Sequence, residues 1–301
     1  MKVLIIGGSG LVGSKVLDLL NSEGTNLVLS PSSKELNILN KELVNQYFEE
    51  NNDSFDVVIN FAAYTDVAKA EEQRGDKQGL AWALNVDGLE NILKASKKYN
   101  KHLIHISTGF VFPGTPDFPG PYSEDAPLLK ESEYKKLGWY AITKLEAEKL
   151  IKKEAYPKVS VIRIPYPVRA HFSGKGDLFR TVLNLYDSNK LYPMFADQQI
   201  SILVIDELVT PIKALVQKPA YGTFHACSYD TTTPYDFATY VLEKARGVNG
   251  VVKKGYLKEF MQKSGVKKPL FGGLSTKKTE EALNIKYPSW KESINLLLSK
   301  V

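Results

Sequence analysis

The stretch Val3-Leu4-Ile5-Ile6-Gly7-Gly8-Ser9-Gly10-Leu11-Val12-Gly13 decides the fold. Four aliphatic residues in a row suit a strand buried on both faces, as in parallel sheets covered by helices. Glycines then fall at 7, 10 and 13, and Ser14–Ser22 follows with apolar residues at helical spacing. Between a strand and a helix, a G-x-x-G-x-x-G array predicts a dinucleotide loop. The glycines permit the tight turn, let a pyrophosphate approach the backbone and let the helix pack close to the strand. The helix N-terminus offers free N–H groups and a favourable dipole to the phosphates.

Outward from that loop the pattern repeats. Leu27–Leu29, Val57–Phe61, Leu103–Ile106 and Val159–Ile164 read as further buried strands, and Lys41–Glu50, Gly79–Tyr99 and Trp139–Lys153 as helices. Alternation of this kind predicts an α/β fold, a doubly wound parallel (Rossmann) sheet with right-handed crossovers. Past about residue 165 the texture changes: Pro165, Pro167, Gly174 and Gly176 interrupt it, and Ile205–Val216, Tyr235–Arg246 and Trp290–Ser299 read as helices. We therefore expect a dinucleotide-binding domain over 1–165 and a smaller mixed lobe over 166–301, partly interleaved with the first.

Composition narrows the function classes. The 301 residues are 43% apolar with a formal net charge of +5, an ordinary globular balance. Residues 251–301 hold eleven Lys against four Glu, a solvated basic surface, and no basic run interleaved with aromatics points to nucleic acid. No window approaches the roughly 18 apolar residues of a membrane helix. The single cysteine, Cys227, excludes an internal disulfide framework and fits a cytoplasmic protein. His102 and His105 lie three apart on a strand, hence on opposite faces, so no shared metal is expected.

Tyr140-Ala141-Ile142-Thr143-Lys144 places a phenol and an amine four residues apart, on one face of a helix. An unperturbed phenol, with a pKa of about 10, is a poor acid–base group near neutrality. A neighbouring ammonium favours the phenolate, which predicts a depressed value for Tyr140. The strand His102–Ile106 runs into Ser107-Thr108, hydroxyls at the carboxyl edge where open α/β sheets bind ligands. A hydroxyl there can hydrogen-bond a substrate oxygen as its charge changes. After the second strand comes Ser30-Pro31-Ser32-Ser33-Lys34, hydroxyls and a cation that suit a 2′-phosphate and favour NADP. Glu35 follows and keeps NAD open.

Taken together, Gly7–Gly13, Asn60–Thr65, Leu84-Asn85-Val86, Ser107–Phe112 and Tyr140–Lys144 resemble the extended short-chain dehydrogenases, most closely the dTDP-4-dehydrorhamnose reductase family. Tyr122–Pro127, Gly222–His225 and Pro288-Ser289-Trp290 extend the resemblance over nearly the whole chain. It implies NAD(P)H-dependent reduction of a 4-keto group on a nucleotide-linked deoxysugar, NADPH favoured, in a homodimer. It also implies a triad of Thr108, Tyr140 and Lys144, with Tyr140 the proton donor. The cofactor would lie against Gly7, Ser9, Gly10, Leu11, Val12 and Gly13, with Ser33, Asn37 and Ile38 at the adenosine end. Phe61, Ala62, Ala63, Tyr64 and Ser107, with Tyr140 and Lys144, would flank the nicotinamide half. Thr108, Gly109, Tyr166 and Arg180 would face the substrate.

The substrate half departs from the family pattern. Gly109-Phe110 stands where these reductases carry Asp-Tyr and where sugar dehydratases carry Asp-Glu. Arg163-Ile164-Pro165-Tyr166-Pro167 replaces an Arg-Thr-Ser-Trp run, Asp197-Gln198 lacks the Gly and Pro-Thr that usually follow, and Leu128–Gly138 looks inserted. These departures keep two alternatives open: another extended short-chain activity such as a sugar epimerase, and a non-catalytic regulatory subunit like the beta subunit of methionine adenosyltransferase.

Overall fold

A computed structural model describes residues 1–22, 24 and 27–301. Its centre is a six-stranded sheet. Strands β1 (Lys2–Ile6), β2 (Leu27–Leu29), β3 (Val57–Asn60), β4 (His102–Thr108), β5 (Val159–Ile164) and a sixth strand, Gly222–His225, are ordered β2-β1-β3-β4-β5-sixth. β1 pairs in parallel with β2 and β3, and β3 with β4, so the strand order reverses direction at β1. Every residue of β3, β4 and β5 is buried, including the polar His102, His105, Ser107, Thr108, Ser160 and Arg163 set among their aliphatic residues.

The chain divides into two compact units. The first is Met1–Val111, Leu128–Arg163 and Val209–Phe224; the second is Phe112–Pro127, Ile164–Leu208 and His225–Val301. The expected single division at residue 165 differs from this path: 112–127 joins the second unit, and 209–224 returns to the first. The first unit's core joins Leu4, Val58 and Leu103 from the sheet to Val44, Phe48, Leu89 and Leu93 from flanking helices. In the second unit Phe179, Val182, Phe237, Val241, Trp290 and Ile294 pack with Ile202 and Val204.

Most helices form where the periodicity places them, with shifted ends. The first runs Leu11–Asn21, beginning at the Gly10 cap rather than at Ser14. The expected single helix over 79–99 is broken by a π turn at Ala83–Asp87, between Leu80–Trp82 and Gly88–Lys98. Leu128–Gly138 contains only a 3₁₀ turn, Glu131–Lys136. Among the described residues no helix is long and apolar enough to cross a membrane.

Candidate active site

The glycine array builds a concave backbone at the carboxyl end of β1. Gly7 adopts φ +83°, in the left-handed region, and a Cβ there would lie 2.6 Å from the Ala62 backbone nitrogen. A Cβ on Gly13 would fall onto the Gly7 carbonyl oxygen. Both positions require glycine for close approach, as a dinucleotide cradle does. Gly10 closes the turn, its N–H donating to Gly7 O at 3.2 Å. Leu11 and Val12 open the helix that follows.

Beside this loop lies a cavity of about 450 Å³ lined by Gly7, Ser9, Ser30, Ser33, Asn37, Ile38 and Ala62, among others. The loop from Ser30 to Ser33 thus lies at the expected adenosine end. Glu35 shares the cavity, but its carboxylate accepts the Ser32 N–H at 2.8 Å. That bond and the Ser32 hydroxyl hold its pKa below the ordinary value. Ile38 is fixed by its carbonyl, which accepts Asn91 Nδ2 at 2.9 Å, and Asn37 caps the next turn by accepting from Leu39 N.

Beyond β3 the backbone of 61–64 is pinned residue by residue. Phe61 N–H donates to Ile6 O at 2.8 Å, and Ala62 N–H donates to Asn60 Oδ1 at 3.0 Å. Tyr64 exchanges both backbone groups with the Asn85 side chain, at 2.8 and 3.2 Å. Asn85 sits in the π turn, where the widened backbone turns its side chain inward, and it also donates to Thr143 Oγ1 at 2.8 Å. Asn85 therefore ties the 61–64 segment to the helix Trp139–Glu154.

That helix carries Tyr140 and Lys144. Thr108, at the end of β4, acts on the Tyr140 phenol so as to oppose the rise in its pKa, and the Phe110 ring meets the Tyr140 ring edge-on at 6.2 Å between centroids. Thr108 and Tyr140 thus meet at the sheet edge, and Gly109 follows in the 3₁₀ turn Gly109–Val111. Lys144 is 2% exposed; its Nζ donates to Ile106 O at 2.8 Å and lies 3.2 Å from His105 Nε2. The expected depression of the Tyr140 pKa is not what the environment produces. Burial pushes the phenol up to about 12, with Thr108 opposing, and burial lowers Lys144 to about 8, with Glu148 opposing. Desolvation disfavours the charged form of each group and outweighs the pairing inferred from the spacing.

Ser107, grouped in sequence with the cofactor contacts, donates its hydroxyl to Glu148 Oε1 at 2.6 Å. The same carboxylate receives Arg163 through Nε at 3.0 Å and Nη2 at 2.7 Å, an almost fully buried fork. This pair locks the helix of Tyr140 and Lys144 onto β4 and β5. Sequence reasoning missed it: Arg163 inside a strand read as buried called for an acidic partner, but nothing local singles out Glu148 among the charges of its helix.

The family model described as RmlD substrate binding domain matches residues 1–301. This chain belongs to the RmlD family. The dTDP-4-dehydrorhamnose reductase of Escherichia coli is 28% identical over 312 residues, covering 100% of this chain and 98% of that protein. The dTDP-4-dehydrorhamnose reductase of Mycolicibacterium smegmatis is 30% identical over 244 residues, 80% of this chain and 68% of that protein. Among solved structures, the Bacillus anthracis dTDP-4-dehydrorhamnose reductase in complex with NADP superposes with a TM-score of 0.86 at 25% identity, covering 100% of both chains. The Clostridium acetobutylicum counterpart gives 0.85 at 27% identity over 100% of this chain and 99% of that one.

The remaining predicted residues of this RmlD-family chain lie in the second unit. Tyr166 adopts φ +31° between two prolines, and its hydroxyl accepts Gln198 Nε2 at 3.0 Å. Pro167 favours extended backbone in the residue before it, so the positive φ at Tyr166 is strained and is held by its surroundings. Arg180 is committed: it pairs with Asp177 at 2.8 Å and donates to the Phe172 and Lys175 carbonyls. His171 Nε2 lies 3.0 Å from the Lys300 carbonyl oxygen. Cys227 is buried and free, its thiol pushed up by burial, which suits packing rather than nucleophilic attack. No group of residues able to hold a metal ion occurs among the described residues.

Proposed function

We propose that this chain is an NAD(P)H-dependent reductase acting on the 4-keto group of a nucleotide-linked deoxysugar, as its dTDP-4-dehydrorhamnose reductase relatives are named. The observation that carries the reading is the placing of Thr108 and Tyr140 together at the end of β4, where the Phe110 ring meets Tyr140 edge-on, with Lys144 buried on the same helix. The glycine cradle and the cavity beside it fit a dinucleotide; Gly7–Gly13, Ser33, Asn37, Ile38 and Ala62–Tyr64 would hold it. When bound, the reduced nicotinamide supplies a hydride. NADPH is favoured over NADH by the Ser30–Ser33 hydroxyls, with Glu35 drawn onto Ser32 rather than offered to a ribose diol.

The chain's own groups supply the rest. With its pKa near 12, Tyr140 carries its proton at neutral pH, the form required to protonate a carbonyl oxygen as it gains charge. Thr108 orients that oxygen and the phenol together. Gly109 leaves the end of β4 without a second acid–base pair, which supports reduction without dehydration. Tyr166 we assign to the sugar; Arg180, held by Asp177 and the Phe172 and Lys175 carbonyls, would meet the diphosphate only on leaving those partners, and we expect a cytoplasmic homodimer. Purified chain with NADPH, offered a panel of 4-keto-6-deoxy nucleotide sugars, should oxidise the cofactor in step with carbonyl loss. Tyr140→Phe should reduce turnover at least about 100-fold while leaving cofactor affinity unchanged. Equal turnover in the variant would remove Tyr140 from the mechanism. Co-purification with a synthetase and no carbonyl-dependent oxidation would favour the regulatory-subunit reading.

A further inference from the structure

His105 lies on β4, 1% exposed, between two side chains whose hydrogen-bonding roles are fixed by third partners. The Ala62 N–H donates to Asn60 Oδ1 at 3.0 Å. A backbone N–H can only donate, so the oxygen of the Asn60 amide faces Ala62 and its nitrogen faces the other way. That nitrogen, Nδ2, lies 3.3 Å from His105 Nδ1. An amide nitrogen only donates, so Nδ1 is the acceptor, and a neutral imidazole with its lone pair on Nδ1 carries its hydrogen on Nε2. The imidazole is neutral: burial holds its pKa well below the ordinary range whatever the charge on Lys144.

The Nε2–H then points at Lys144, whose Nζ is 3.2 Å away. An ammonium has three donors and no acceptor. A charged Lys144 would set donor against donor in a site closed to water. A neutral amine presents a lone pair to Nε2–H and keeps an N–H for the Ile106 carbonyl at 2.8 Å. The ionisable groups acting on Lys144 are His105 from β4 and, on its own helix, Glu148, which favours the ammonium; Tyr140 lies one turn before it on that helix. From β3 comes the Asn60 amide and from the π turn the Asn85 amide, neither of which titrates.

We propose that His105, locked by Asn60 as its Nε2–H tautomer, is a positioning residue that lowers the proton affinity of Lys144 in the cofactor-free protein. Burial acts in the same direction on Lys144. Lys144 is then a group able to take up and return a proton near neutral pH, one helical turn from Tyr140, rather than a fixed positive charge. The tautomer stands independently of the activity; only its kinetic consequence rests on the reductase reading.

The full chain labelled with ¹⁵N-histidine tests the lock directly. It has four histidines, and loss of one set of signals in His105→Gln assigns the resonance. In a long-range ¹H–¹⁵N spectrum above pH 8, His105 should show a protonated Nε2 and an unprotonated Nδ1; the reverse pattern overturns the proposal. The second readout is the ¹³Cε titration of ¹³C-lysine-labelled protein. In His105→Gln the amide can turn its oxygen to the ammonium, so the Lys144 pKa should rise by about one unit, a tenfold change in its proton affinity. An unchanged value overturns the proposal. The pH dependence of carbonyl reduction should shift upward in parallel. Turnover surviving in Tyr140→Phe would sink the reductase reading while leaving the tautomer result standing.

Discussion

Replacing Arg163 by Met isolates what holds the helix of Tyr140 and Lys144 in place. The Arg163 and Glu148 side chains are 1% and 3% exposed, and the guanidinium supplies two of the three hydrogen-bonding groups on that carboxylate, Ser107 the third. Met preserves much of the apolar stem but leaves Glu148 buried with a single hydroxyl. Removing one partner of a buried pair costs about 3–5 kcal/mol, chiefly because the surviving charge is uncompensated. Replacing both partners with apolar residues of similar volume is often neutral or stabilising, so Arg163→Met/Glu148→Met should regain most of the loss. Urea unfolding followed by tryptophan fluorescence reads this, because Trp82 and Trp139 stack in the first unit at 5.8 Å between centroids. A single variant within about 0.5 kcal/mol of the parent, the usual span of surface changes, would refute the reasoning. So would a double variant no more stable than the single one.

Further outcomes follow from the same geometry. Gly13→Ala should weaken cofactor binding at least tenfold, or about 1.4 kcal/mol by titration calorimetry, with the circular dichroism spectrum unchanged; unaltered affinity would mean the cradle is elsewhere. Burial lowers the His102 pKa to about 4, so the unfolded chain binds the proton first as pH falls. The His102 contribution to stability is therefore complete above about pH 6.5 and is lost toward pH 4, by up to about 3 kcal/mol. His102→Gln should flatten that part of the stability profile, and an unchanged slope would count against a buried neutral imidazole. Tyr166→Phe removes the hydroxyl that receives Gln198 and should raise KM for the nucleotide sugar with cofactor affinity unchanged; a matching loss of cofactor affinity would place Tyr166 elsewhere.

Much of the first unit was legible because its signals are local. Short stretches rich in Val, Ile and Leu are read directly as buried strands, and a glycine array between strand and helix has few other uses. The sixth strand, Gly222–His225, was not legible as a strand, because it is short, begins with Gly and Thr, and is only half buried. The exchange of 112–127 and 209–224 between units depends on tertiary packing that no local pattern encodes. The site divides in the same way. Tyr140 and Lys144 are four apart and visible in any helical reading, whereas the groups acting on them come from far along the chain. His105 reaches Lys144 from 39 residues away, Asn60 reaches His105 from 45, and Asn85 reaches Thr143 from 58. The error over the Tyr140 pKa has one cause: spacing reports that an amine is near, but the sign of the shift depends on burial, and burial is a property of the fold.

The central claim is carbonyl reduction by this site, and stoichiometric turnover tests it most directly. NADPH absorbance at 340 nm and the product from a 4-keto-6-deoxy nucleotide sugar should be followed together, in the parent chain and in Tyr140→Phe. The account predicts one cofactor oxidised per carbonyl reduced, abolished in the variant. Cofactor bound at the glycine cradle but never consumed, whichever keto sugar is offered, would contradict it.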